Sequence, residues 1–171
     1  MSVTARSVLP VTLRDAAAGD AAAIAAIYNH YVVSSTCTYQ TEPDTEEGRA
    51  AWLAQHGDRY PVIVAEMDGE VVGWGCLSRY HSRAAYAPTV ENSVYVRHDL
   101  HGRGIGGALL AELIRRAGAL GYRSILAGVS ADQAASVALH EKHGFEKVGH
   151  LREVGFKFGR RLDVVWLQRM L

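Results

Sequence analysis

Glu91-Asn92-Ser93-Val94-Tyr95-Val96-Arg97-His98-Asp99-Leu100-His101-Gly102-Arg103-Gly104-Ile105-Gly106-Gly107-Ala108-Leu109-Leu110 is the stretch that decides the fold. Ser93 to Arg97 alternates as a short strand and runs into a turn whose glycines, Gly102, Gly104, Gly106 and Gly107, open an amphipathic helix. Glycine lets the backbone approach a ligand closely and adopt angles that other residues resist. The unpaired N–H groups at the helix start, with the positive end of its dipole, form a cradle for an anion. The segment therefore predicts a phosphate-bearing ligand.

The phosphate has several possible owners. A Walker loop is excluded, because no Lys-Ser or Lys-Thr follows the glycines. Gly102, Gly104 and Gly107 spell the dinucleotide fingerprint, which also needs a βαβ unit and an acidic residue about 20 residues on, closing the second strand. The next strand, Ser124 to Ser130, ends without one, and Asp132 fits the start of a helix better. A third reading is the pyrophosphate loop of an acyl-CoA enzyme, carried by resemblance to a known family.

Working outward, Val11 to Arg14 reads as a first strand. Asp20 caps a helix whose Ile24, Ile27, Tyr28 and Tyr31 share one face. Thr45-Glu46-Glu47 starts a second helix through Trp52 and Leu53, ending near Gly57. Pro61 to Glu66 and Glu70 to Leu77 are strands joined by an Asp68-Gly69 hairpin turn. In the helix after the glycines, Ile105, Leu109, Leu113 and Ile114 face inward, Glu112, Arg115 and Arg116 face out, and Gly121 ends it. Asp132 to His143 is a last helix stopped by Gly144, followed by strands near Phe145 to Val154 and Asp163 to Arg169. The expected fold is a single α/β domain: a mixed, mostly antiparallel sheet of about seven strands flanked by about four helices.

With 171 residues the chain makes one domain with a substantial core, residues 11–171, behind a loose tail at residues 1–10. Its formal net charge is zero, so no global field draws it to nucleic acid or an anionic membrane. Arg160-Arg161 reads as solvated surface. Nothing approaches the roughly 18 apolar residues of a membrane span. Cys37 and Cys76 lack metal-ligand spacing and follow no secretory signal, so a reduced, cytoplasmic enzyme is expected. His140 and His143 sit in His-Glu-Lys-His, which is not the zinc pattern His-Glu-x-x-His, and no metal is expected.

His101-Gly102-Arg103-Gly104-Ile105-Gly106 resembles the Arg/Gln-x-x-Gly-x-Gly/Ala signature of the GCN5-related N-acetyltransferase (GNAT) superfamily, with His101 at the first position. The order of elements is also the superfamily's. Ser136 to Phe145 resembles its last-helix motif, in which many members carry Tyr where this chain has His140. More specifically, the chain is similar to phosphinothricin N-acetyltransferases. The segments that carry this are Ile27 to Tyr31 running on to Ser35-Thr36, Thr41-Glu42-Pro43, Thr89 to Val96, and Val154 to Gly159 with Leu162-Asp163-Val164. The resemblance implies acetyl-CoA as co-substrate. Val94, Tyr95 and Val96 would pair with the pantetheine arm, and Gly102, Arg103, Gly104, Ile105, Gly106 and Gly107 would take the pyrophosphate. Gln133 falls where the family has an asparagine near the pantetheine.

An amine must lose a proton before it attacks a thioester, so the chemistry needs a base, an oxyanion donor and an acid for the departing thiolate. Glu91 lies where the central strand begins, at the end away from the pyrophosphate. Spacing alone also allows a plain surface carboxylate there. His140 can move a proton either way, and spacing alone fits a half-buried helix residue equally. By resemblance, Glu91 and His140 are the proton-handling pair, and a backbone N–H near Val96 holds the oxyanion. Arg83 and Tyr86 lie in the loop that the family uses for its amino-acid substrate, and an arginine fork suits a carboxylate or phosphinate. An exposed loop arginine is the competing reading for Arg83. Tyr39 and Phe156 would wall the pocket or be simple core. The resemblance implies acetyl transfer to phosphinothricin, methionine sulfoximine or methionine sulfone, by a homodimer. The alternatives are another amine (a polyamine, an aminoglycoside or a protein N-terminus) and a non-catalytic acyl-CoA-binding module.

Overall fold

Residues 11–171 are described by a computed structural model, and the tail expected at residues 1–10 lies outside them. The elements follow in the order β1 (Thr12–Asp15), α1 (Ala21–Ser34), α2 (Glu46–Gln55), β2 (Val62–Met67), β3 (Glu70–Arg79), β4 (Thr89–Val96), α3 (Ile105–Ala119), β5 (Ser124–Ser130), α4 (Ala134–Lys142), β6 (Glu146–Lys157) and β7 (Arg160–Met170). All seven strands form one sheet, ordered β1-β2-β3-β4-β5-β7-β6. Every neighbouring pair is antiparallel except β4 with β5, which run parallel. This is the mixed α/β domain with four helices that the sequence predicts.

Alternation along the strands divides the core into two layers. Val62, Val64, Trp74 and Cys76 face α1, where Ile24 and Ile27 meet them. Ile63, Ala65, Val72, Leu77 and Val90 face the other way, against Leu109, Leu110 and Leu113 of α3. The second layer is tight. A Cβ on Gly75 would lie 3.0 Å from Leu113 Cδ1 and 3.0 Å from the Ser93 carbonyl oxygen, so glycine is what lets α3 sit on β3.

Several boundaries differ from the expectation by one to four residues, and four departures have a clear physical cause. β4 starts at Thr89 rather than Ser93 and ends before Arg97, because its polar residues Glu91 and Asn92 pair with Ser78 and Leu77 of β3. Asp20 occupies the position before α1 but does not cap it. Its carboxylate accepts from Arg14 at 2.7 and 3.0 Å and from the Ala17 N–H at 2.7 Å, the stronger choice for a charged group. Arg14 holds that carboxyl below the usual aspartate range. Helix α4 begins at Ala134, two residues after the expected Asp132, whose carboxylate is taken by Thr36, Ser130 and Arg160 at 2.7 to 2.8 Å. Finally, β6 and β7 run to a two-residue turn at Phe158-Gly159, with φ of 51° and 71°. Left-handed phenylalanine carries none of the Asn-Gly or Asp-Gly signal by which such turns are read, so the sequence reading stops β6 at Val154.

The Asp68-Gly69 turn and the start of α2 at Thr45 are as read: φ is 52° and 80° at the turn, and Thr45 Oγ1 caps α2 by accepting from the Gly48 N–H at 2.9 Å. Leu113 is fully buried between α3 and the sheet. Leu113→Ala is expected to cost about 3 kcal/mol of unfolding free energy through lost burial plus a cavity, measured by urea denaturation.

Candidate active site

Parallel neighbours β4 and β5 pair only through Thr89, Val90 and Glu91 with Ser124, Ile125 and Leu126. Beyond that point they part, and a cavity of about 440 Å³ opens between them. Val94 and Val96 line one side, Ala127 and Val129 the other, with the glycine loop at one end and His140 at another wall. The Arg97 N–H donates to the Val72 carbonyl at 2.8 Å. By the alternation of an antiparallel ladder, the backbone groups of Val94 and Val96 therefore point away from β3, into the opening. Those of Tyr95 point to β3, while its ring stacks on Trp74 at 4.9 Å. A free strand edge of this kind accepts an extended, amide-bearing ligand as an added strand.

The glycine loop closes one end of the cavity. Gly102 and Gly104 have φ of 74° and 85°, angles that strain any residue with a Cβ. Gly104 is the N-cap of α3, and Ala108 is the first residue to bond back to it, at 3.0 Å. The N–H groups of Ile105, Gly106 and Gly107 are thus left for an anion. Arg103 is exposed beside them. The Tyr31 hydroxyl donates to the Val96 carbonyl, so its oxygen accepts from His101 Nε2, 2.5 Å away. Helix α1 thereby ties the strand edge to the loop. Gln133 lines the cavity at the start of α4, and its Nε2 donates to Thr36 Oγ1 at 2.8 Å.

Two titratable groups flank β4 from opposite faces. Glu91 shares a face with Ser93 and Tyr95, is half-buried, and burial raises its pKa above the ordinary glutamate value. His140 stands on the other face. Its Nδ1 donates to the Ser136 carbonyl at 2.8 Å, and its Nε2 lies 3.1 Å from Asn92 Oδ1. Burial, helped by His143, lowers the His140 pKa, and the Ser136 carbonyl opposes that. The two groups are not in contact.

Residues 24–145 match the model of the Acetyltransferase (GNAT) family. The chain belongs to this family. It is 39% identical over 160 residues to a phosphinothricin N-acetyltransferase of Streptomyces viridochromogenes, across 94% of this chain and 87% of that protein. It is also 39% identical over 164 residues to an L-methionine sulfoximine/L-methionine sulfone acetyltransferase of Pseudomonas aeruginosa, across 94% of each. A solved GNAT phosphinothricin acetyltransferase from Sinorhizobium meliloti, in complex with acetyl-CoA, matches with a TM-score of 0.91 and 40% identity, over 94% of this chain and 88% of that one. The protein is an acetyl-CoA-dependent N-acetyltransferase. The residues present fit that co-substrate: the Val94 and Val96 edge suits the amide-bearing arm, and the Gly102–Gly107 cradle suits its pyrophosphate.

The residues read for the acceptor lie outside this cavity. Arg83 is exposed, in the loop that leads into β4 ahead of Glu91. Tyr86 packs edge-on against Tyr80 at 5.5 Å in the same loop. The Tyr39 hydroxyl donates toward Ser130 Oγ at 3.0 Å and the Asp163 carbonyl at 2.8 Å, which fastens the α1–α2 loop over β5 and β7. Phe156 projects from edge strand β6 and is 69% exposed. The sequence reading missed Asn92, although its place between Val90 and Val94 in a period-two run marks it for the buried face. Among the described residues no group of three or more His, Cys, Asp or Glu side chains is assembled for a metal.

Gly104→Ala forces a left-handed alanine at a cost of roughly 1 to 2 kcal/mol and tilts the cradle. The Kd for acetyl-CoA, measured by calorimetry, is expected to rise about tenfold, with the circular dichroism spectrum unchanged.

Proposed function

We propose that this enzyme acetylates the amino group of a small amino-acid-like acceptor of the phosphinothricin, methionine sulfoximine or methionine sulfone type. The observation that carries the reading is Glu91, a half-buried carboxylate with a raised pKa, at the point where β4 and β5 part. The names of the relatives supply the acceptor class. Acetyl-CoA supplies an acetyl group activated as a thioester. Glu91, through water, takes the proton of the acceptor amine. The Val96 N–H, directed into the opening, donates to the oxygen on which negative charge develops. His140 handles the proton needed at the departing sulfur. Arg83, with no ion-pair partner among the described residues, holds the acceptor's anionic group, and Tyr86 and Tyr39 border it.

A homodimer completes the proposal. Strand β6 lies at the sheet edge and exposes Val148, Leu151, Val154 and Phe156, with Phe158 in the adjoining turn. An apolar edge strand of this length invites pairing with another chain. A second copy packed there buries Phe156, the residue read as a pocket wall. We assign the enzyme to the cytoplasm: Cys37 and Cys76 are free thiols, which a reducing compartment preserves, and no helix among the described residues is long and apolar enough to cross a membrane. Leu151→Glu is expected to convert a dimer to a monomer in sedimentation velocity, and a monomeric parent would remove the dimer from the proposal.

The test of the activity is CoA-thiol release with phosphinothricin, methionine sulfoximine, methionine sulfone, spermidine and an aminoglycoside as acceptors. Turnover is expected on the amino-acid analogues and a loss of about a hundredfold or more in Glu91→Gln. Turnover on the polycations alone would discard the acceptor class. Activity should rise with pH as the Glu91 carboxyl deprotonates. Its folded pKa exceeds its unfolded one, so the native state binds more protons in that window and stability falls as pH rises through it. Glu91→Gln should therefore lose activity yet melt higher than the parent at pH 8 in calorimetric scans.

A further inference from the structure

His140 sits between two oxygen atoms. The Ser136 carbonyl can only accept, so Nδ1 carries a proton. On the other side, the Asn92 amide is oriented by a third group: its Nδ2 donates to the Leu126 carbonyl at 3.3 Å, which turns Oδ1 toward His140 Nε2 at 3.1 Å. The Leu126 carbonyl also accepts only. With Oδ1 facing it, Nε2 must donate too. A neutral ring protonated at Nδ1 would turn a bare lone pair on Oδ1. Relieving that contact by rotating the amide would set Oδ1 against the Leu126 carbonyl instead. The proton on Nε2 and the orientation of one amide are therefore linked.

We propose that Asn92 is a positioning residue that holds a proton on His140 Nε2 beside the cofactor cavity, making His140 the proton donor of the reaction. This rests on the acetyl-transfer reading above. In the step, the amine nitrogen forms the new C–N bond and the C–S bond breaks. Glu91 receives the amine proton, and the Nε2–H proton of His140 passes to the departing sulfur to give the free thiol. Solvent then returns a proton to His140 and removes one from Glu91. Burial opposes the charged imidazole, and the two oxygen acceptors favour it. Around the ring stand His143 on the same helix, the Phe145 ring edge-on at 5.0 Å, Asn92 on β4, and Arg169 of β7 bonded to the His143 carbonyl. Glu91 lies on the far face of β4, so Asn92 is the side chain through which the strand reaches His140.

The deciding experiment is a nitrogen-15 histidine titration by NMR on the cofactor-free protein, with His140 assigned by His140→Gln. The Nε2 of His140 should be protonated at pH 5, below the ordinary histidine range, in the parent. Asn92→Leu, similar in size but with no acceptor, should lower its pKa by about one unit or more, since a hydrogen bond to a charged group is worth that much. Asn92→Asp should raise it. The basic limb of the kcat–pH profile should move in the same directions, with the Kd for acetyl-CoA within about twofold of the parent. A bare Nε2 in the parent at that pH, or a titration that Asn92→Leu leaves unmoved, overturns the proposal. So does a shifted titration with an unmoved kcat profile, because His140 is then not the donor. The titration needs no acceptor, so an error in the acceptor class appears only in the turnover panel and is told apart from a failure of Asn92.

Discussion

The parting of β4 and β5 is the constraint on which the rest of the molecule depends. Two parallel strands that stay paired would seal the sheet and leave no edge for a ligand. Here the ladder runs for three residue pairs and stops. Asn92 meets the Leu126 carbonyl at that point, and the Val94 backbone groups and the Val96 N–H are left facing the opening. Each flanking element then serves the opening. Helix α3 brings the glycine loop to one end, seated on β3 by the missing side chains of Gly73 and Gly75. Helix α1 reaches the strand edge and His101 through Tyr31. Helix α4 supplies His140.

The loop between α1 and α2 is fastened just as deliberately on the other face. Lys157 is buried, and its ammonium donates to the Ser35 and Thr38 carbonyls at 2.7 Å each. Burial lowers its pKa, and the two charge-assisted bonds offset part of that desolvation. Thr36 joins Asp132 and Gln133 on α4's approach, and Tyr39 joins Ser130. Buried Arg49 pairs with Asp44 and lies over the rings of Tyr28 and Trp52 at 4.4 and 4.6 Å. A loop so tied has a fixed shape.

Desolvation acts on Glu91 and His140, the two groups proposed to handle protons, in a single stroke. It disfavours charge, so it raises the pKa of Glu91 and lowers that of His140. A carboxylate with a raised pKa is a stronger base, and an imidazolium with a lowered pKa is a stronger acid. Standing on opposite faces of one strand and out of contact, they do not neutralise each other, as the proposed division of labour requires. With a formal net charge of zero, the chain has no global field, so any electrostatic tuning is local.

Much of this was legible in the residues themselves. The order of strands and helices, the Asp68-Gly69 turn, the start of α2 at Thr45 and the anion cradle all follow from periodicity and turn chemistry, which depend on residues a few positions apart. The strand limits around Glu91 and Asn92 were misread because polar residues in a strand carry no local signal of the partners that bury them. The gap between β4 and β5, the separation of Glu91 from His140, and the bond between Asn92 and His140 across 48 positions were decided by tertiary structure alone. A pairing that stops, or an amide turned toward a ring, is set by hydrogen bonds between segments remote in sequence, and no local pattern records where those bonds end.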